Sequence, residues 1–123
     1  YACRGGSKKY QVFAFGDSLT TKQANFGYKL NRTCKVGSYQ ANGFGLYDMH
    51  GNVYEWCNDF YSDETYTRNK RTDPIGPKTG ERRVPRGGSW GGTSRFCRSA
   101  LRGRIDPTSR SNPCGFRVAC RLD

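Results

Sequence analysis

Ser18 is the residue whose immediate sequence most suggests a nucleophile. It follows a short apolar stretch and a Gly-Asp turn in VFAFGDSLTT, residues 12–21, as the nucleophile of a serine esterase does. Such an enzyme also needs an Asp-x-x-His motif near its C-terminal end and an Asn-bearing oxyanion block. The chain's one histidine, His50, lies mid-chain in DMHGN, and no such block is present. We therefore interpret Ser18 as a turn or cap hydroxyl.

The cysteines offer a second possible chemistry, either metal binding or disulfide formation. Their spacing is too wide for the paired CxxC motifs of a structural zinc site. In an oxidising compartment an even number of cysteines permits disulfides, whereas in a reducing cytosol the same thiols act as small buried hydrophobes. The sequence leaves both states open for Cys3, Cys34, Cys57, Cys97, Cys114 and Cys120.

Charge and hydropathy restrict the classes of partner. The chain has a formal net charge of +11 and a sequence pI of about 9.7, which favours acidic partners. No helix-turn-helix, zinc-finger or RNA-binding signature accompanies the basic residues, so nucleic acid is not expected as the main partner. No run approaches the roughly 20 apolar residues that cross a bilayer, and no signal segment is recognisable. We expect a soluble protein without a membrane span, in a compartment that the sequence leaves open.

The elements that must position these side chains are short. With 123 residues, 16 glycines and 14% aromatic residues, the chain suits one loop-rich domain, 1–123, with short strands. We predict a long surface loop over 62–81 and no long amphipathic helix, and we place the centre of the core in NGFGLYDMHGNVYEWCNDFY, 42–61. The predicted strands are KYQVFAF, NVYEWCNDFY, RRVPRGGSW and GFRVACRLD, the last with Phe116, Val118 and Cys120 on one face.

Several blocks of the sequence resemble one family in order and spacing. They are YACRGG (1–6), GDSLTTKQANF (16–26), NGFGLYDMHGNVYEWCNDFY (42–61), RVPRGGSW (83–90), CRSALRGRIDP (97–107) and GFRVAC (115–120). The chain resembles the formylglycine-generating enzyme, or sulfatase-modifying factor, family. The resemblance implies a C-type-lectin-like α+β fold with short antiparallel strands and little helix. The family's usual N-terminal portion has no counterpart before Tyr1.

The resemblance also allows the family's oxidase chemistry to be checked by position. In the family, two cysteines shortly after the GGS(W/Y) motif bind copper and activate oxygen, because Cu(I) needs soft thiolates. Here the residues after Trp90 are GGTSRF, and the nearby thiol Cys97 belongs to the CRSA block. We therefore expect no catalytic residues of this kind, no copper and no formylglycine formation.

A calcium site is implied by the same resemblance. Its ligands would be the carboxylates of Asp48 and Glu55 and the main-chain oxygens of Gly51 and Val53, since Ca²⁺ prefers hard oxygen donors from a turn. The alternative is that Glu55 pairs with an arginine and Asp48 caps a turn. The family's second calcium site is not predicted, because GYKLNRT lacks the aspartate that it requires.

The resemblance places a binding groove between GGSW and GFR. From Gly91 to Cys120 there is no Lys, Gln, Glu, Met or Trp, as in family members whose AAY codons are diversified by retroelements. On this interpretation Phe116 and Arg117 belong to the scaffold, with Phe116 in the core. An ordinary Arg/Gly/Ser-rich surface is the alternative. The displayed residues would be Gly91, Gly92, Thr93, Arg95, Phe96, Leu101, Gly103, Arg104, Ile105, Ser109, Ser111, Asn112, Pro113 and Cys114.

Two disulfides are suggested by the same family, Cys3 with Cys120 and, more weakly, Cys57 with Cys97. The predicted function is a non-catalytic ligand-binding domain whose partner is a protein or other macromolecule. The alternatives are a copper- and oxygen-dependent oxidase acting on sulfatase cysteines and, more remotely, a GDSL-type serine esterase using Ser18.

Overall fold

Short strands and single 3₁₀ turns, joined by long irregular segments, make up the described chain. A computed structural model describes residues 1–66, 76–110 and 113–120. The strands are β1 Tyr54–Phe60, β2 Arg83–Arg86 and β3 Cys114–Gly115, and the 3₁₀ turns are Ala2–Arg4, Asp63–Tyr66 and Ser94–Cys97. None of the described helices is long and apolar enough to cross a membrane. The scarcity of helix confirms the predicted loop-rich architecture.

The sheet has the strand order β2-β1-β3. β1 and β2 are antiparallel with Glu55 opposite Arg86 and Trp56 opposite Pro85, whereas β3 is parallel to β1. The aromatic and alternating sequence of β1 favours this extended form. Strand formation in NVYEWCNDFY and RRVPRGGSW is therefore confirmed. The predicted loop at 62–81 includes the turn Asp63–Tyr66, and residues 67–75 lie outside the described residues.

The free edge of β2 carries an irregular fourth segment. Gly103 N–H donates to the Pro85 carbonyl at 2.9 Å, and Arg83 and Ile105 exchange two main-chain hydrogen bonds at 2.9 and 3.1 Å. Because proline has no N–H group, Pro85 takes part in this pairing only as an acceptor, through its carbonyl. Residues 103–105 are thereby fixed at one edge of the sheet, and β3 forms the opposite edge.

Two predicted strands are wrong in extent. KYQVFAF forms a single isolated bridge between Phe13 and Gly16. Within the described part of GFRVACRLD, residues 115–120, only Gly115 pairs with β1, and Phe116 and Val118 beyond it are 79% and 80% exposed. Phe116 is therefore not a core residue. The pairing with β1 ends before it, and no strand or 3₁₀ turn of the described residues covers its ring.

Most of the core lies outside the predicted centre at 42–61, in the stretch from Phe13 to Ala24. Phe13, Leu19, Ala24 and Cys97 are buried together. From the predicted centre of the core, 42–61, the fully buried residues are polar or glycine, and β1 itself is half-buried. Hydrophobic periodicity does not reveal such a core, because its members come from irregular segments far apart in sequence.

His50 ties these segments together. Its Nε2 accepts a hydrogen bond from Ala14 N–H at 2.9 Å, and its Nδ1 lies 2.8 Å from the Cys97 carbonyl, as a donor nitrogen would. Burial lowers the pKa of His50, and the Cys97 carbonyl partly opposes this shift. The imidazole therefore serves the core as a neutral cross-link between two loops.

Candidate functional site

The four predicted calcium ligands converge on one open cavity. Asp48, Gly51, Val53 and Glu55 line a space of about 370 Å³, which Arg117 also lines. Non-Gly φ angles above zero are uncommon, and Asp48 adopts a φ of 54° within this loop. The structure thus brings together the residues that the sequence predicted as one site.

Arg117 already supplies a positive charge inside this cavity. Its Nε lies 3.0 and 2.9 Å from the two carboxylate oxygens of Glu55, and its Nη2 lies 2.6 Å from Oε1. The same Nη2 donates to the Tyr47 carbonyl at 2.8 Å. The hydrogen bond and charge of Glu55 raise the pKa of Arg117 against the opposing effect of burial. The guanidinium is thus held by a carboxylate and a main-chain oxygen, the donor types that calcium would use.

This arrangement does not fit Ca²⁺. An ion would have to displace Arg117 from both oxygens of Glu55, and Asp48 Oδ2 is already bonded to Gly37 N–H at 2.7 Å. Within residues 1–66, 76–110 and 113–120, no group of three or more His, Cys, Asp or Glu side chains could hold a metal ion. The geometry matches the alternative of an arginine pair and a turn cap.

The first part of the predicted binding surface is built on the turn Ser94–Cys97. This turn buries Cys97 completely, while Arg95 is exposed and Phe96 is 46% exposed. Thr93, which precedes the turn, is exposed as well. The partly buried Gly91 and Gly92 lie beside the side chains of Tyr28 and Phe96 respectively. One buried thiol therefore fixes a turn from which Arg95 and Phe96 face solvent.

The remainder of the predicted surface is divided between the two edges of the sheet. Leu101, Gly103 and Ile105 are partly buried, and a Cβ on Gly103 would lie 2.6 Å from Pro85 Cγ. Pro113 lies at the other edge, where its carbonyl accepts from Tyr54 N–H at 2.6 Å, beside the partly buried Cys114. Ser111 and Asn112 lie outside the described residues. The members that are exposed, which we name the display surface, are Thr93, Arg95, Phe96, Arg104 and Ser109.

The thiols do not form the predicted bridges. Cys3, Cys57 and Cys97 are free, so neither Cys3–Cys120 nor Cys57–Cys97 is present in the structure. Cys3 Sγ lies 3.4 Å from the Met49 carbonyl. Burial raises the pKa of Cys97 to about 11, which the N–H groups of Ser89 and Gly51 partly oppose. Cys97 is therefore a protonated core thiol at neutral pH.

Ser18 has no histidine available to activate it. The chain's one histidine, His50, is engaged through both ring nitrogens with Ala14 and Cys97. Ser18 itself is exposed. Its interpretation as a turn hydroxyl agrees with this placement.

The chain also forms a larger cleft, which no sequence pattern predicted. It encloses about 720 Å³, and none of the predicted ligand-binding residues lines it. Its walls come from the N-terminal turn, β1, β2 and the stretch after Cys97, segments that no sequence periodicity connects. We name it the arginine cleft after its lining by Arg4, Arg86, Arg102 and Arg117, together with Trp56 and Tyr66.

Neutral groups hold three of these four arginines. Arg86 Nη1 donates to the Leu101 carbonyl at 3.1 Å, and Arg102 Nη2 donates to the Ser62 carbonyl at 2.9 Å. Arg102 also lies 4.9 and 4.8 Å from the ring centres of Tyr61 and Tyr66. Arg4 lies 5.3 Å from the ring centre of Tyr10.

Arg86 is close to the thiols of the cleft. Its charge opposes the burial that raises the pKa values of Cys3 and Cys57. Among the described residues, the one ion pair is that of Arg117 with Glu55. The cleft therefore carries an excess of positive charge.

Comparison with known proteins identifies the family. The model of the sulfatase-modifying factor enzyme 1-like domain matches residues 1–122. The formylglycine-generating enzyme of Streptomyces coelicolor is 38% identical over 140 residues, covering 100% of this chain and 44% of that protein. This chain thus spans less than half of that relative's length.

Two solved structures share the fold. Treponema denticola variable protein 1 superposes with a TM-score of 0.80 at 33% identity, covering 94% of this chain and 42% of that one. PvdO from Pseudomonas aeruginosa gives a TM-score of 0.76 at 34% identity, covering 94% and 47%. These similarities confirm the predicted C-type-lectin-like α+β fold. The chain belongs to the sulfatase-modifying factor, or formylglycine-generating enzyme, family.

Proposed function

We propose that this chain is a non-catalytic, ligand-binding member of the family, and that it recognises a protein or other macromolecule through the display surface. The observation that carries this proposal is the turn Ser94–Cys97, which buries its cysteine and turns Arg95 and Phe96 toward solvent. Charge and aromatic area side by side on an exposed turn are typical of recognition surfaces.

The backbone beneath the display surface supports this role. Gly27 N–H donates to the Gly92 carbonyl at 2.7 Å, and Gly103 N–H donates to the Pro85 carbonyl at 2.9 Å. Main-chain hydrogen bonds of this kind do not depend on which side chains neighbouring positions carry. Exposed side chains between them can therefore change without loss of the fold.

Diversification by a retroelement is part of the proposal. The absence of Lys, Gln, Glu, Met and Trp from residues 91–120 supports it, as does the similarity to a protein named variable protein 1. The gene neighbourhood provides a direct test. A reverse transcriptase and a near-copy of the segment that encodes residues 91–120 are expected, and the absence of both would contradict diversification.

The competing function is the copper-dependent oxidase, which the similarity to formylglycine-generating enzymes favours. The burial and raised pKa of Cys97 argue against it, because copper needs a thiolate. The test combines the chain with Cu(I), oxygen and a cysteine-containing sulfatase peptide. No turnover is expected. Formylglycine formation that is lost in Cys97→Ala would overturn the non-catalytic proposal.

A further inference from the structure

Three guanidinium groups of the arginine cleft form no ion pair with a carboxylate of the described residues, although Glu55 also lines the cleft and lies opposite Arg86. Arg4, Arg86 and Arg102 are partly buried, and the ion pair of the described residues involves Arg117 instead. Removing a charge from water without an opposite charge nearby is unfavourable. An anionic ligand would therefore supply a counter-charge that these parts of the chain lack.

The positions of these charges indicate what kind of anion fits. Arg86 lies on β2 and is held by the Leu101 carbonyl, whereas Arg102 is held by the Ser62 carbonyl and Arg4 belongs to the N-terminal turn. Each guanidinium is therefore held by a different part of the chain. Several carboxylates along one ligand match three separately held guanidinium groups, one carboxylate to each.

The walls and size of the cleft favour a short peptide. Met49, Trp56 and Tyr66 add apolar and aromatic surface between the charges. A cleft of about 720 Å³ lies within the range that buries a small ligand, roughly 300–1,000 Å³. Arginine forks pair with carboxylates through two parallel hydrogen bonds, and aromatic side chains pack on the remaining apolar parts of a peptide.

We propose that the arginine cleft is a second binding site, which takes an acidic peptide segment whose carboxylates pair with Arg4, Arg86 and Arg102. This site is separate from the display surface, so it does not depend on the proposed function above. The net charge of +11 would also speed the encounter with an acidic partner.

Fluorescence anisotropy with a fluorescein-labelled tetraglutamate peptide at physiological salt tests the proposal. Saturable binding is expected, with none for a tetraglutamine peptide of the same length. Arg4→Gln and Arg102→Gln should each weaken binding about tenfold, because a charge-assisted hydrogen bond is lost. Arg102→Lys, which keeps the charge and loses the fork, should fall between the wild type and Arg102→Gln.

Arg32→Gln is the matched control, since it removes the same charge from an exposed position outside both the cleft and the display surface. It should leave peptide binding unchanged. A thermal melt of every variant checks that it is folded at the temperature of the binding measurement. If Arg102→Gln is unfolded, Arg4→Gln still tests the proposal.

Three results would overturn the proposal. The wild type could show no saturable binding to tetraglutamate. Arg32→Gln could weaken binding as much as the cleft variants do, which would mean attraction by net charge alone. A labelled single-stranded oligonucleotide could bind more tightly than the peptide and lose affinity in the same cleft variants, which would make the site one for nucleic acid.

Discussion

The display surface and the arginine cleft differ in what holds their backbone in place. Beneath the display surface, main-chain hydrogen bonds position the segment, as between Gly103 and Pro85. In the arginine cleft, side chains add to the pairing of β1 and β2, since Arg86 and Arg102 each bind a carbonyl from another part of the chain. Side chains are therefore replaceable in the first region and structurally required in the second.

This difference separates two kinds of recognition within one small domain. A surface whose side chains contribute little to stability tolerates substitution, because surface changes away from special features cost less than about 0.5 kcal/mol. A cleft whose arginines also hold the fold keeps its chemistry constant. Variation and fixed specificity can thus coexist because the two regions share no lining residue.

The largest effect is expected at Gly88, which lies against the anchor of the display surface. Its φ is 77°, and a Cβ there would lie 2.6 Å from Cys97 Sγ. Gly88→Ala should destabilise the protein by about 3 kcal/mol through overpacking and backbone strain. Thermal unfolding measures this effect.

Gly45→Ala is the control for backbone strain alone. Gly45 has a φ of 73° with nothing within 4 Å of its Cβ position, so the cost should be about 1 kcal/mol. Equal losses in the two variants would mean that contact with Cys97 does not matter.

The next effect concerns Arg117, which joins the cleft to the predicted calcium cavity. Arg117→Gln should cost about 1 kcal/mol, since the pair with Glu55 is partly exposed. The wild-type Tm should be the same in calcium and in chelator, whereas the variant, with Glu55 freed, should gain stability from millimolar calcium. A chelator that lowers the wild-type Tm would instead establish the calcium site.

Stability should fall on both sides of neutral pH. His50 has its pKa lowered from 6.5, so its contribution is complete above that value and is lost as pH falls through the folded pKa. Cys97 has its pKa raised from 9.0 to about 11, so its contribution is complete below 9.0 and is lost as pH rises toward 11. Each slope approaches 1.4 kcal/mol per pH unit at most.

Denaturant unfolding across pH measures these slopes, and each has its own control. His50→Gln should remove the acid slope alone. Cys97→Ala should reduce the alkaline slope and leave the acid slope unchanged, since burial also raises the pKa values of Cys3 and Cys57. Slopes that are unchanged in these variants would assign the pH dependence to other groups.

The smallest effects are expected on the display surface. Phe96→Asp and Arg104→Glu should change stability by less than about 0.5 kcal/mol, because both side chains are exposed. Gly103→Ala, at a position that the sequence also assigned to display, should be clearly destabilising because of Pro85. A large loss of Tm in Phe96→Asp would place Phe96 in the core and remove the contrast between the two regions.

Local sequence was sufficient for the central strands but not for the core or the terminal strand. The aromatic alternation around Trp56 predicted β1, because strand propensity is a property of neighbouring residues. Phe116 alternates with Val118 in the same way, yet both are exposed. Burial depends on what packs across a residue, and a local pattern does not contain that information.

The sequence by itself determined the family, the loop-rich fold and the absence of the two catalytic cysteines after GGSW. Motif order and residue identity can be read directly from the sequence, without knowledge of tertiary contacts. It also brought Asp48 and Glu55 to one site. Only the tertiary structure decided that the Arg117 guanidinium pairs with Glu55 in the cavity where calcium was predicted, and that arginines distant in sequence line one cleft. Those outcomes depend on contacts between residues far apart in sequence, and neither composition nor spacing encodes them.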